Sequence, residues 1–387
     1  MQIYLDYSAT TPTHPRVLER VRQVCAEQWG NPSSLHDWGN RSATLLEMAR
    51  MQVASLIGAA NPDNLVFTAG GTEADNLAIF GITNRGDRPQ HIIISSVEHP
   101  AVAKPADYLE KQGWQVTRLP VDRDGRVNPV DLEQAIQKNT VLISIIYGQS
   151  EVGTLQPIQE LGAIARKHNI PFHTDAVQVV GRILIDVSTL PVDLLSLSSH
   201  KIYGLQGTGA LYIRDGLALE PMLFGGGQEG TLRSGTQNIP GIVALGMAAE
   251  LAEENLNIES QRLTDLRDFL FEKMADCEHL QPTGSLRHRL PHHVSFVIKQ
   301  DSPLLGLTGK TIVRQMNLAG IGISAGSACH SGTLNPSQIL KAMGYESRMA
   351  LSGIRLTFGA ATQREDIEWT AIALKQILQR QLSPLFA

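Results

Sequence analysis

The chain has 387 residues, 42% of them hydrophobic and 18% charged, with a formal net charge of −5. That length exceeds one simple core and implies two units, while the mildly acidic balance gives no electrostatic basis for binding nucleic acid or an anionic membrane. The longest apolar stretches, such as 141–147, fall far short of the roughly 20 residues that span a bilayer, no basic-then-apolar leader opens the sequence, and three widely spaced cysteines without metal-ligand spacing (Cys25, Cys277 and Cys329) point to a reducing cytoplasm.

From about residue 65 to 215, short apolar runs alternate with amphipathic stretches. Strands are predicted at 65–68, 91–95, 115–119, 141–147, 170–173 and 193–197, and helices at 72–80, 101–111, 129–137 and 157–168, with Pro129 suited to a first turn. Residues 205–214 read as a return strand. Continuous apolar strands alternating with helices indicate an α/β fold whose mainly parallel sheet is covered on both faces. The remainder differs: a glycine-rich loop over 225–240, a long helix over 242–276, a strand at 294–298, a helix at 308–317, a Gly/Ser-rich loop around Cys329 and a strand at 354–357. This pattern suits a smaller α+β domain, which the first dozen residues either join or reach by crossing between domains. The expected division is 14–255 for a large domain, with 1–13 and 256–387 forming the small one.

Lys201 is the most informative residue. It follows an apolar run that ends in Ser198-Ser-His200, and 26 residues earlier Asp175 ends another, Ile170-Pro-Phe-His-Thr-Asp175. An amine and a carboxylate on separate strand ends are what pyridoxal phosphate needs: the lysine makes the Schiff base and the carboxylate keeps the pyridine nitrogen protonated. By itself Asp175 reads equally as the N-cap of a following helix. Thr68-Ala-Gly-Gly71-Thr72 is a strand, a small-residue turn and a helix start, which suits a phosphate as well as a simple capped turn. His99 lies just past a strand's C-terminal end, where ligands of open α/β sheets bind, and its imidazole has the shape to stack on the ring; a plain surface histidine before Pro100 fits too. Cys329 sits among Gly, Ala and Ser, so its thiol belongs to a mobile, accessible loop over about 322–337, as a nucleophile requires. Cys25 and Cys277 lie in helical surroundings and read as structural. Arg355, inside an apolar strand, needs a carboxylate, either in an internal salt bridge or on an amino-acid substrate.

Together these pieces resemble the cysteine desulfurases, the NifS/IscS-like branch of the class-V aminotransferase family within the fold-type I pyridoxal-phosphate enzymes. The resemblance runs almost end to end through Tyr4-Leu-Asp-Tyr-Ser-Ala-Thr-Thr-Pro12, Gly30-Asn-Pro-Ser-Ser-Leu-His36, Ala69-Gly-Gly-Thr-Glu73, Glu98-His-Pro100, Phe172-His-Thr-Asp-Ala-Val-Gln178, Ser199-His-Lys-Ile-Tyr-Gly204, Gly225-Gly-Gly-Gln-Glu229, Arg233-Ser-Gly-Thr236 and Gly326-Ser-Ala-Cys329. It implies a large domain with a mainly parallel seven-stranded sheet. It assigns Lys201 to the Schiff base and the Cα proton, Asp175 to the pyridine nitrogen, Gln178 to the phenolic oxygen, and His99 to ring stacking and proton transfer. Gly71, Thr72, Ser198 and His200 would hold the phosphate, Thr236 would reach it from the neighbouring subunit of a homodimer, Asn31 and Arg355 would bind the substrate carboxylate, and Cys329 would take the sulfur from L-cysteine as a persulfide. A sulfur-acceptor protein, such as an iron–sulfur scaffold, would receive it. Two positions depart from the pattern: Ser150 stands where the family usually has a cofactor-contacting asparagine and would bond the cofactor through water or leave that contact to Gln178, and His330 follows Cys329 in place of a small hydroxyl residue. Lys201 and Asp175 alone fit other fold-type I enzymes, such as an aminotransferase, a β-lyase or a selenocysteine lyase; the Cys329 loop is what separates them.

Overall fold

The structure, a computed structural model, describes residues 2–86, 88–326 and 335–382. In chain order the strands are β1 (Ile3–Tyr4), β2 (Leu65–Thr68), β3 (His91–Ser95), β4 (Gln115–Leu119), β5 (Thr140–Ser144), β6 (Phe172–Asp175), β7 (Leu194–Ser198), β8 (Gly209–Ile213), β9 (Leu280–Pro282), β10 (His293–Ile298), β11 (Ile321–Gly322), β12 (Ser324–Ala325) and β13 (Ile354–Thr357). The helices are α1 (Pro15–Glu27), α2 (Asp37–Leu56), α3 (Gly71–Thr83), α4 (Pro100–Lys111), α5 (Pro129–Ala135), α6 (Ile158–Lys167), α7 (Ile239–Met274), α8 (Gly309–Leu318), α9 (Gln338–Ala342), α10 (Ser347–Leu351) and α11 (Arg364–Leu382).

The seven-stranded sheet has the order β2-β8-β7-β6-β5-β3-β4. Its central pairs are parallel, and β8 runs antiparallel to both β7 and β2. Along the central strands successive side chains pack on opposite faces, and both faces are buried. Ile92, Ile94, Leu142 and Leu211 join one core with α3 and α4, while Ile93, Ile143, Leu195 and Leu197 join the other with α2, α6 and the first half of α7. Apolar on both sides, such strands are stable only when helices cover both faces. The second sheet, β12-β13-β10-β9, is antiparallel and packs on the second half of α7, α8 and α11. Helix α7 therefore runs through both cores: Ile239–Ala249 serve the first and Leu263–Met274 the second. Residue 255, the expected large-domain limit, lies inside this one helix.

Boundaries shift modestly from the sequence reading. The strand expected at 170–173 is Phe172–Asp175, the one at 141–147 is Thr140–Ser144, and the return strand at 205–214 is Gly209–Ile213. Helices α1, α2 and α11 are additions to the elements read from sequence. The N-terminal segment does two things. Its β1 pairs parallel with β11, and Asp6 bridges to Thr357, tying it to the second sheet. Farther on, Thr11 N donates to His200 O and His14 N to Tyr203 O, bringing residues 8–14 alongside the end of β7. Among the described residues, no helix is long and apolar enough to cross a membrane.

Candidate active site

The C-terminal ends of β2, β3, β5, β6 and β7 open onto one edge of the sheet, and the segments leaving them surround a cavity of about 250 Å³. Gly71, Thr72, His99, Ser150, Asp175, Gln178, Ser198, His200 and Lys201 all line it, together with Asp75, Ile146 and Val177. Ligand binding outside the carboxyl ends of strands is the general rule for open α/β sheets.

The turn between β2 and α3 is built for an anion. Gly70, the N-cap, has φ +148°, a conformation glycine alone adopts readily. It supplies no side-chain cap, so the first-turn amides of α3 stay uncapped from that position. A Cβ on Gly209 would come within 2.7 Å of the Gly70 carbonyl carbon, so β8 needs glycine to pack beside this turn. Thr72 and Ser198 add hydroxyls from either side. By contrast, α4 is capped by His99 itself, whose Nδ1 accepts from Ala101 N at 3.1 Å.

Asp175 is 4% exposed, and its Oδ1 accepts from Val177 N at 2.9 Å. No helix follows it: Asp175 caps the turn after β6 and faces the cavity. Burial raises its pKa, opposed by His99 and Lys201. Lys201 closes the 3-10 turn that follows β7. Its Nζ donates to Ser8 O and, at 2.8 Å, to Ala9 O, so the N-terminal segment holds the amine. Burial first, and the Arg355 guanidinium second, lower the Lys201 pKa to about 8. Gln178 Nε2 donates to the same Ser8 O at 2.9 Å. His200 Nδ1 lies 3.1 Å from Thr10 Oγ1, and burial with the Lys201 charge lowers its pKa to about 4. His99 is open to the cavity, and its protein surroundings lower its pKa, with Asp175 opposing. The imidazoles are thus neutral near pH 7, and the cavity presents one amine, uncapped amides and hydroxyls to a ligand.

Three expected residues do not line this cavity. Asn31 is exposed between α1 and α2, where its Oδ1 accepts from Ser33 N at 2.9 Å. Thr236 is exposed in the glycine-rich loop, which Arg233 anchors to α3 by donating to Glu73 at 3.0 Å. Arg355 is in an internal ion pair with Asp6 at 2.8 Å and donates to Ser150 O at 3.0 Å, leaving Nε buried without a partner. Cys329 and His330 lie outside the described residues. Cys25, read as structural, is exposed on α1, and Cys277 is half-buried just past α7; neither lines the cavity. The sequence reading missed two acids. Asp75 lines the cavity at 1% exposure, and Glu98, 5% exposed, accepts from Ser95 N and Ile146 N through one oxygen while the other has no partner. Burial raises the Glu98 pKa to about 8. The Glu98-His-Pro100 motif held a signal for Glu98; nothing in Glu73-Ala-Asp75 distinguishes Asp75 from any acid early in a helix.

The residues present fit pyridoxal phosphate. A cavity lined by an amine, a buried carboxyl, an exposed imidazole and an uncapped helix start matches the group's aldehyde, ring nitrogen, ring face and phosphate in turn. Comparison with known proteins agrees. The family model described as aminotransferase class-V matches residues 3–369. A cysteine desulfurase IscS from Dictyoglomus turgidum is 43% identical over 99% of this chain and 96% of its own length. A solved NifS-like protein is 33% identical with TM-score 0.91, covering 98% of this chain and all (100%) of its own. A solved SspA in complex with cysteine is 35% identical with TM-score 0.81, covering 92% of this chain and 99% of its own. With its fold, cavity and full-length similarity in agreement, the chain is an enzyme of the class-V aminotransferase family and belongs to its NifS/IscS-like cysteine desulfurases.

Proposed function

We propose that this enzyme uses pyridoxal phosphate to take sulfur from L-cysteine, releasing L-alanine and leaving a persulfide on Cys329. An acceptor protein, such as an iron–sulfur scaffold, then receives the sulfur. The observation that carries the reading is the convergence of Lys201, Asp175 and His99 on one cavity beside the uncapped start of α3. That SspA was solved with cysteine supports the substrate class.

When bound, the cofactor supplies an aldehyde for the amine and an electron sink for charge at Cα. The chain's own residues do the rest. Asp175 holds the proton on the ring nitrogen, while Thr72, Ser198, His200 and the Gly71 amide hold the phosphate. Gln178 reaches the phenolic oxygen, and Ser150, shorter than asparagine, bonds it through water or leaves that contact to Gln178. Lys201, with its pKa near 8, exists partly as the free amine at neutral pH and moves the substrate Cα proton. Arg355, fixed by Asp6 and the Ser150 carbonyl, and Asn31 would bind the substrate carboxylate, although neither lines the cavity in this structure. The Cys329 thiolate attacks the substrate Sγ: an S–S bond forms, the Cβ–Sγ bond breaks, and Cβ takes a proton to give alanine. Thr236 completes the phosphate site of a second copy, which makes the enzyme a homodimer working in the cytoplasm.

Replacement of Cys329 by serine tests this. The variant is expected to keep the visible absorbance of bound cofactor and to form no alanine from free cysteine. Full turnover by Cys329→Ser would instead make the enzyme a lyase that needs no protein thiol, and comparing cysteine with selenocysteine as substrate would then identify which lyase.

A further inference from the structure

Asp75 has no role in the chemistry above, yet it stands in the wall of the cofactor cavity. It is 1% exposed, and its Oδ1 has no hydrogen-bond partner. Ligand-type atoms of Asp75, His99 and Asp175 all lie within 4.8 Å of one another. Among the described residues, the one base within ion-pair distance is His173, whose Nε2 is 3.6 Å from Oδ1. His173 gives no positive charge. Its ring nitrogens meet Ser144 Oγ at 2.7 Å and Ser196 Oγ at 3.0 Å, and burial lowers its pKa to about 3. The Lys201 ammonium is turned to the Ser8 and Ala9 carbonyls. What faces Asp75 is more acid, with Asp175 and Glu98 both buried beside it.

Two carboxylates this close, out of water and without a cation between them, do not both ionise. The surroundings decide which one does. Asp175 accepts from the Val177 amide, and the Lys201 charge also favours its anion. For Asp75, burial and the Asp175 charge raise the pKa well above the usual carboxylate range, against a single lowering contact from Ser196. We propose that Asp75 is a positioning residue of the cofactor site, held as the neutral acid so that Asp175 remains the one carboxylate anion set against the ring nitrogen. The inference rests on the pyridoxal-phosphate reading.

Asparagine matches a protonated aspartate in shape and charge, so the test compares Asp75→Asn with Asp175→Asn in cofactor-free protein titrated with pyridoxal phosphate. Asp75→Asn is expected to bind within about fivefold of the unsubstituted protein, the scale of one neutral hydrogen bond. Asp175→Asn is expected to lose on the order of a hundredfold, the scale of a charge-assisted bond. Aspartate-selective carbon-13 labelling of the unsubstituted holoenzyme gives a readout independent of folding defects: a protonated aspartate signal persists above pH 7. Equal losses in the two variants, or no protonated aspartate at neutral pH, overturn the proposal. Unsubstituted protein that takes up no pyridoxal phosphate overturns the cofactor reading instead, and is seen before any substitution is made.

Discussion

Lys201 and Glu98 carry opposite consequences of the same burial. Desolvation disfavours the charged form of each, so the amine's pKa falls to about 8 and the acid's rises to about 8. Cofactor uptake needs the neutral amine, so the rate of pyridoxal-phosphate binding to cofactor-free protein is expected to climb as pH rises through about 8 and then level off, followed by visible absorbance. Glu98 acts on stability. From its ordinary value of 4.5 up to about 8, the folded state keeps a proton that the unfolded state releases, so stability is greatest at low pH and falls across that window. Glu98→Gln removes this term, and melting curves of the cofactor-free protein at several pH values should show a flatter decline, by an amount of the order of a few kcal/mol. Lys201, Asp175 and His99 were legible in the sequence because their neighbours are distinctive. Asp75 was not, because burial is a property of the packed sheet and helices rather than of the local sequence of a helix. Of the two readings of Arg355, the structure shows the internal salt bridge, with Asp6 occupying one nitrogen and another left unpartnered.

At the scale of elements, the glycine-rich loop is held by a buried ion pair. Glu229, 4% exposed, takes Arg50 Nη1 at 3.0 Å and the Phe67 amide at 3.0 Å, which fixes the loop to α2 and β2 together. Replacing Arg50 with methionine leaves Glu229 charged and unpaired in the interior. The expected loss is about 3–5 kcal/mol, read from denaturant unfolding. The sheet strands were visible as apolar runs because, covered on both faces, they carry no alternation. Helix α2 was harder to read, since it buries small and polar residues such as Gly39, Ser42 and Ala49 beside Leu46 and Val53, and its apolar stripe is weak. Helix α7 was seen as long, but its passage from one core to the other depends on which sheet packs against each half.

At the scale of the whole molecule, Trp29, Leu35 and Phe224 stand 71%, 98% and 83% exposed. Thr236 is likewise exposed and far from a role in its own cavity lining. If each cavity borrows Thr236 from its neighbour, mixing Lys201→Ala with Thr236→Ala subunits rebuilds one intact site per mixed dimer. Activity of the reassembled mixture is expected to exceed that of either variant alone, and no gain after confirmed subunit exchange would remove the shared site.

The sequence by itself determined the α/β class, the strand ends that carry Lys201, Asp175 and His99, and the family, because apolar runs and short motifs are local and written in order along the chain. Only the tertiary structure decided that Asp75 and Glu98 are buried acids beside that site, that the Ser8 and Ala9 carbonyls hold the lysine amine, and that Asp6 grips Arg355. Each of these joins residues far apart in sequence, and the charge state of a group depends on what the fold packs around it rather than on its neighbours in the chain.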